Sequence, residues 1–370
     1  MKNRKIKLAT VFSGIGSVEY ALARSNISHE IVFACDNGDI VLEDIDYNLE
    51  LKKIKSLKKI QEQFSYAQSL YKCCKKSNYV ELSYKANYNI LPNRFFYDVK
   101  LIDGTKFTNK VDLFVGGSPC QSFSSMGYQK GLEDARGTLF YDFARLISEI
   151  KPKVFIYENV QGLLNHDDKK TWKVMQKIFD DLGYHYSYQV LNSKDFGIPQ
   201  NRNRLFVVGF RNKNFFKKFS FPTAKILNYT LQDFLIENCR EGCFDYSNIK
   251  HEPGIVDKKY FLSDKVTKHV MSEGTKEYKM SPKTDLKIAR PLLATMHKMH
   301  RAGVDNYITI NQRLRRLTPR ECLRLMGYGD HFKQVVSDTQ MYKQCGNSIV
   351  VDVMNNILEQ INLTGVFKSE

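Results

Sequence analysis

The run "KLATVFSGIGS", Lys7 to Ser17, decides the fold. A short apolar β-type run meets Gly14 and Gly16, and the chain then opens a helix. Glycines at this point let the backbone turn sharply and let a ligand approach the main chain closely. A lone G-x-G is weak, because any tight strand-to-helix turn can use it. The dinucleotide fingerprint wants a third glycine three residues after Gly16, and that position is Glu19. A pyrophosphate at a helix N-terminus sits badly beside a carboxylate, so NAD and FAD are disfavoured. A ligand without phosphates and with a positive centre fits better, and S-adenosylmethionine is such a ligand.

Working outward, further β-like runs follow: "EIVFAC", "VDLFVGG", "KVFIYE", "YSYQVLN" and "RLFVVGF". Helical patterns lie between several of them. "TLFYDFARLISEI" sets Leu139, Phe140, Phe143, Leu146, Ile147 and Ile150 on one face, and "KTWKVMQKIFDDLG" ends at Gly183, a helix-stop residue. Strands alternating with helices predict an α/β, doubly wound, mostly parallel sheet.

Other stretches break this rhythm. Residues 45–95, lysine-rich and then rich in tyrosine and asparagine, are too long for a connection and read as an insertion, a solvated helical decoration. Residues 215–310 show weak periodicity and scattered Pro and Gly, and read as a second, smaller, irregular domain. Helices return at "TPRECLRLMG", with Glu321 at capping-box distance from Thr318, and at "NSIVVDVMNNILEQI", where Asn347 or Ser348 is placed near the helix start. The expected division is 1–214, 215–310, and 311–370 as a return that completes the first domain.

With 370 residues the chain can bury a sizeable core, and no apolar run reaches membrane-spanning length. Eight cysteines without paired spacing argue for a reducing cytoplasm. Cys239 and Cys243, with His251 and His269 further on, lack the second tight ligand pair a zinc site wants, so no metal is expected. A net charge of +16 fits a polyanionic partner, nucleic acid above all, or a solvated basic surface.

Polar residues collect where strands end, as parallel-sheet enzymes require. Asp36 follows the second strand, where an acidic side chain accepts from ribose hydroxyls. Asp98 ends "NRFFYD" and could reach an adenine amino group. "GGSPCQSFSSMG" puts Cys120 on a loop just past a strand, and a thiol with an ordinary pKa of about 8.5 needs help to react there. "ENV" puts Glu158 at another strand end. In "QNRNR" a spacing of two predicts Arg202 and Arg204 on one face of an extended segment.

These motifs together resemble the bacterial DNA (cytosine-5) methyltransferases of restriction–modification systems. The order is that family's: "FSGIG", an acidic residue after strand two, "GGSPCQSFS", "ENV", "QNRNR", a variable region, "RRLTPRECLRLMGY" and "QCGNSIVVDV". The likeness covers Leu8 to about Phe210 and about Asn311 to Ile361. It implies the S-adenosylmethionine-dependent methyltransferase fold with a target-recognition domain at 215–310. It implies Cys120, Glu158, Arg202 and Arg204 as catalytic residues, and Phe12, Gly14, Gly16, Asp36, Asp98, Leu139 and Asn347 as cofactor-binding. "GYQKGLEDARG" resembles the family's mobile active-site loop.

The implied chemistry is covalent. Thiolate attack of Cys120 on carbon 6 of a flipped-out cytosine makes carbon 5 nucleophilic toward the sulfonium methyl group, while Glu158 serves N3 and Arg204 serves O2. The expected partners are duplex DNA, read in part by Leu292 to Tyr307, and a companion restriction endonuclease. The expected protein is a monomer with no membrane partner. Two alternatives share the motifs: a tRNA cytosine-5 methyltransferase, and an inactive DNA-binding homologue.

Overall fold

The computed structural model describes residues 4–72, 74–119, 139–238, 251–274 and 279–368. The chain divides into two compact units, one of residues 1–191, 203–222 and 357–370, the other of residues 192–202 and 223–356.

The first unit is built on a seven-stranded sheet. In chain order its elements are β1 (Ile6–Val11), α1 (Ser17–Arg24), β2 (His29–Cys35), α2 (Tyr47–Ser56), α3 (Ile60–Ser69), α4 (Tyr79–Asn87), β3 (Phe95–Phe96), β4 (Leu113–Gly116), α5 (Leu139–Ile150), β5 (Val154–Val160), α6 (Lys170–Asp181), β6 (His185–Asn192) and β7 (Asn203–Phe210). The strand order is β3-β2-β1-β4-β5-β7-β6. Every described pairing from β3 to β5 is parallel, and β7 runs antiparallel to β5. The chain leaves β1 toward β2 on one side and returns to β4 on the other. The C-terminal ends of β1 and β4 therefore flank the switch point, where such sheets bind ligands.

Each β-like run of the sequence forms a strand, and β3, only two residues long, is the addition. The apolar face of α5 is buried past its first residue: Phe140, Phe143, Leu146, Ile147 and Ile150 are all 0% exposed. Its Phe143 ring stacks on Phe114 of β4, centroids 5.0 Å apart, and Phe155 of β5 stacks on Phe179 of α6 at 5.1 Å. Such pairs add about 0.5–1.5 kcal/mol each beyond the area they bury. Gly183, with φ 73°, lies just past α6, as expected of a helix stop.

The 45–95 segment is helical, with Asp46 and Asn78 capping α2 and α4 through their side chains. It is more than a solvated decoration. Leu42, Ile54 and Tyr71 bury against Leu101, which lies in a 3-10 turn at Val99–Leu101.

The second unit has little regular structure. It holds α7's successor helix α8 (Asp264–Val270), the hairpin β8 (Tyr307–Ile310) and β9 (Arg313–Arg316), α9 (Pro319–Leu325), α10 (Asp338–Asn347) and the start of α11 (Val351–Leu363); α7 itself (Lys213–Phe216) belongs to the first unit. The expected capping box between Thr318 and Glu321 forms. Arg315 and Glu321, both 0% exposed, make a two-pronged ion pair at 2.9 and 2.7 Å, and Glu237 closes on the same guanidinium. This network ties residues 311–356 to the 223–310 segment. The compact division therefore differs from the expected one, since only 357–370 joins the sheet unit. Among the described residues no helix is long and apolar enough to cross a membrane.

Candidate active site

The turn after β1 is built from left-handed residues: Phe12 (φ 54°), Gly14 (φ 53°) and Gly16 (φ 75°). Gly16 has a second reason to lack a side chain. A Cβ there would sit 2.2 Å from the Tyr88 ring. Tyr88 uses that closeness to donate its hydroxyl to the carbonyls of Gly16 and Ile15, at 2.6 and 3.1 Å. Around Gly14 the space is open, with nothing within 4 Å of an added Cβ.

The turn is fastened to the end of β2. Ser13 N donates to Cys35 O, and Cys35 N donates to Ser13 Oγ, both at 3.0 Å. Asp36 then spans two turns: Oδ2 accepts from Gly14 N and Oδ1 from Gly38 N, each at 2.9 Å. Asn78 Nδ2 donates to the Asp36 carbonyl at 2.8 Å. Burial raises the Asp36 carboxyl above its ordinary 3.8, and the two amides offset part of the rise. Asp98 stands one strand further out. Its Oδ1 accepts from Lys100 N at 2.9 Å, capping the 3-10 turn, and its Oδ2 accepts from Tyr71 Oη at 3.1 Å. Leu139 is half-buried at the start of α5 and packs on the main core.

The donor set bears on the cofactor. The amides of Ser13, Gly14 and Gly16 are committed to Cys35 O, Asp36 and Ser13 O. Glu19 lies 1% exposed, its Oε1 accepting from Thr10 and Tyr84, its carboxyl raised by burial. These three amides are already spent, and the buried Glu19 carboxyl in the first turn of α1 is a poor neighbour for a pyrophosphate. These groups fit a ligand that offers hydroxyls and an amino group to carboxylates, as S-adenosylmethionine does.

A second cluster forms where β4 and β5 end and β7 begins. Glu158 of β5 pairs with Arg204 of β7, Nε to Oε1 at 3.1 Å, because the antiparallel register sets Arg204 opposite Val160. Gly117 leaves β4 so close to this carboxylate that a Cβ would fall 2.8 Å from Glu158 Oε2. Ser118 is then anchored on β5. Its hydroxyl bonds Tyr157 Oη at 2.7 Å and its carbonyl accepts from Asn159 Nδ2 at 2.9 Å. Cys120 and the loop from Ser122 to Arg136 follow directly and lie outside the described residues, as do Cys239 and Cys243.

The two arginines of "QNRNR" do not share one extended face. β7 starts at Asn203, so only Arg204 belongs to it. Arg202 is 3% exposed in the second unit and donates to the carbonyls of Leu292, Gly346 and Ser348 at 2.9, 2.9 and 2.8 Å. Beside it Gln200 accepts from Leu292 N at 3.0 Å and donates to Leu325 O at 2.8 Å. Asn347 is exposed and ends α10 instead of starting the last helix. Gly346 lets the 293–294 backbone pass against α10, since a Cβ would come within 2.1 Å of Ala294 N. His251 is buried and held neutral, its pKa lowered to about 3 by burial and by Arg324. Among the described residues no group of three or more His, Cys, Asp or Glu is placed to hold a metal. The tyrosines Tyr71, Tyr84 and Tyr88 escaped the sequence reading. Their only signal was the tyrosine-rich composition of the inserted segment.

The family model described as C-5 cytosine-specific DNA methylase matches residues 63–363. The chain is 36% identical over 290 residues to the type II methyltransferase M.Bsp6I of Bacillus sp. (strain RFL6), covering 76% of this chain and 87% of that protein. It is 34% identical over 267 residues to M.HhaI of Haemophilus parahaemolyticus (70% and 77%), and 30% identical over 395 residues to M2.ScrFI of Lactococcus lactis subsp. cremoris (99% and 100%). Among solved structures the S. pombe Dnmt2 methyltransferase superposes with a TM-score of 0.61 at 17% identity, over 96% of this chain and 98% of that one. At that identity the likeness speaks for the fold alone.

The two arginines should separate in a melting experiment. Arg202→Ala strips a charged donor from three buried carbonyls and should cost about 3 kcal/mol or more. Arg204→Ala breaks one partly exposed ion pair and should cost less than about 1 kcal/mol. Denaturant unfolding of both variants checks this, and equal losses would contradict the assignment of Arg202 as a brace.

Proposed function

The chain belongs to the C-5 cytosine-specific DNA methylases, and from that premise we propose that it methylates carbon 5 of a flipped-out cytosine within a specific duplex DNA sequence, through a covalent adduct of Cys120 at carbon 6. The family's methyl donor is S-adenosylmethionine. The observation that carries the reading is the Glu158–Arg204 pair at the sheet edge, beside the Gly117–Ser118 exit that leads to Cys120.

Each residue has a task. The Cys120 thiolate adds to carbon 6, forming a C–S bond, and the electron pair of the 5,6 double bond moves toward N3 and O2. Glu158 holds a proton at N3, and Arg204 donates to O2, so charge arriving there is met by groups already in place. Arg204 also fixes the direction of the Glu158 carboxyl. When bound, S-adenosylmethionine supplies an electrophilic methyl group, carried on a sulfonium, for the nucleophilic carbon 5. The carbon 5 proton then goes to a base, ordered water in this reading, and its electron pair restores the double bond as the C–S bond breaks. The base must leave the duplex to meet these groups, at a cost of about a few kcal/mol.

The cofactor lies along the edge of β1, β2 and β3. Phe12, Gly14 and Gly16 shape the turn, Asp36 receives the ribose hydroxyls, Asp98 receives the adenine amino group, and Leu139 and Asn347 complete the assignment. Arg202 is a positioning residue that braces the carbonyls on either side of Asn347. Residues 215–310 read the target sequence, with His297, Lys298, His300 and Arg301 between Leu292 and Tyr307 as the polar groups for base edges and phosphates. The net charge of +16 supports a DNA partner. The restriction–modification relatives support a companion endonuclease, and we take the enzyme to act as a monomer in the cytoplasm.

Duplex DNA with 5-fluorocytosine at the target should become covalently trapped when S-adenosylmethionine is present. Addition and methyl transfer proceed, but fluorine cannot leave as a cation. Cys120→Ser should lose the trap and nearly all turnover while retaining DNA binding. A trapped band on denaturing electrophoresis that persists in Cys120→Ser would overturn the assignment. A pH titration tests Asp36 separately. The charged carboxylate is the form that accepts hydroxyls, and its pKa is raised above 3.8. Cofactor affinity by calorimetry should therefore be full at high pH and fall as pH drops through that raised value. Asp36→Asn should bind more weakly without this dependence, and a wild-type dependence retained in Asp36→Asn would remove Asp36 from the site.

A further inference from the structure

The 45–95 segment sends side chains to Asp98 that neither the reaction nor the family motifs account for. Tyr71, 6% exposed just past α3, donates its hydroxyl to Asp98 Oδ2 at 3.1 Å. Tyr47, first residue of α2, stands near the same carboxylate, whose charge adds to burial in raising its phenol. Lys100 Nζ lies 4.3 Å over the Tyr47 ring, and Tyr97 meets the Tyr71 ring edge-on at 5.1 Å, so both phenols are held in place. The turn that Asp98 caps is pinned from the opposite side. Arg145 of α5 donates to the carbonyls of Val99 and Ile102, both at 2.9 Å, while pairing with Asp142.

A carboxylate that must accept from a planar amino group needs a fixed direction. On a 3-10 turn it would otherwise rotate. We propose that Tyr47 and Tyr71, supplied by the inserted segment at the start of α2 and just past α3, are positioning residues that orient Asp98 and thereby set affinity and selectivity for the adenine end of the cofactor. The proposal rests on the reading that Asp98 receives the adenine amino group. It gives the inserted segment a function at the cofactor site. Burial and the Asp98 charge push both phenols above their ordinary value, so they remain donors throughout the working range.

The test is a set of double-mutant cycles on the full-length protein. S-adenosylmethionine affinity is measured by calorimetry and KM and kcat by methylation of DNA, for Tyr47→Phe, Tyr71→Phe, Asp98→Asn and the combinations. Removing only a hydroxyl keeps the ring packing, and thermal melting confirms that each variant folds. Tyr71→Phe should raise Kd and KM roughly three- to tenfold with kcat unchanged, as for loss of a bond to a charged group, and Tyr47→Phe should raise them in the same direction by less. Each should also reduce discrimination against a cofactor analogue dimethylated at the adenine amino group. In the Asp98→Asn background the same changes should add no more than about twofold. Unchanged affinity in both tyrosine variants, or full and additive losses in the Asp98→Asn background, would overturn the proposal. If Asp98→Asn itself binds S-adenosylmethionine and discriminates like the wild type, the reading beneath the proposal fails, and the proposal fails with it.

Discussion

The chain leaves β4 against the end of β5 through a residue with no side chain, and the proposed chemistry depends on that closeness. Any Cβ at Gly117 would press on the Glu158 carboxylate and carbonyl, at 2.8 and 2.9 Å. Ser118 then makes the approach permanent, bonding Tyr157 and, through its carbonyl, Asn159. A parallel pair of strands thus brings Gly117 and Ser118 beside the acid, and the antiparallel β7 delivers Arg204 to the same edge. Strands β5 and β7 fix Glu158 and Arg204 without any long flexible reach, which is how a sheet edge pre-organises its side chains.

Glu158 and Arg204 contribute little to folding as a pair. Their side chains are 14% and 21% exposed, and ion pairs near a surface are typically worth about 0–1 kcal/mol. Arg315 and Glu321, with no exposure, and Arg202, locked on three carbonyls, belong to the architecture. Arg202 and Arg204 stand two residues apart and do opposite work. One is spent on backbone carbonyls of the second unit, and the other is presented at the sheet edge.

Much of this was legible in the sequence because its signals are local. Apolar runs bounded by Gly, Asp and Asn became β1, β2, β4, β5, β6 and β7. The period of Leu139 to Ile150 became α5, and the spacing of Thr318 and Glu321 became a capping box. What stayed hidden is non-local. The two-residue β3 is too short to show a pattern, and it exists because β2 offers Phe95 and Phe96 a partner. Asn311 and Gln312, both at positive φ, turn the β8–β9 hairpin without the glycine that usually marks such a turn. Asn347 looked like a helix start, but Ser348 adopts an extended conformation and closes α10 instead. Tyr88 and Gly16 are 72 residues apart in the chain, and no spacing rule joins them. The pairing of Asp98 with Tyr71 is hidden in the same way, which is why the inserted segment read as decoration.

Bisulfite sequencing of DNA from cells expressing the chain measures the central claim most directly, because it reports the modified atom and the sequence context together. The account requires protected cytosines confined to one short recurring sequence on duplex DNA, and their disappearance when Cys120 is replaced by serine. Complete conversion of every cytosine in the presence of folded, expressed protein, or protection that survives Cys120→Ser, would contradict it.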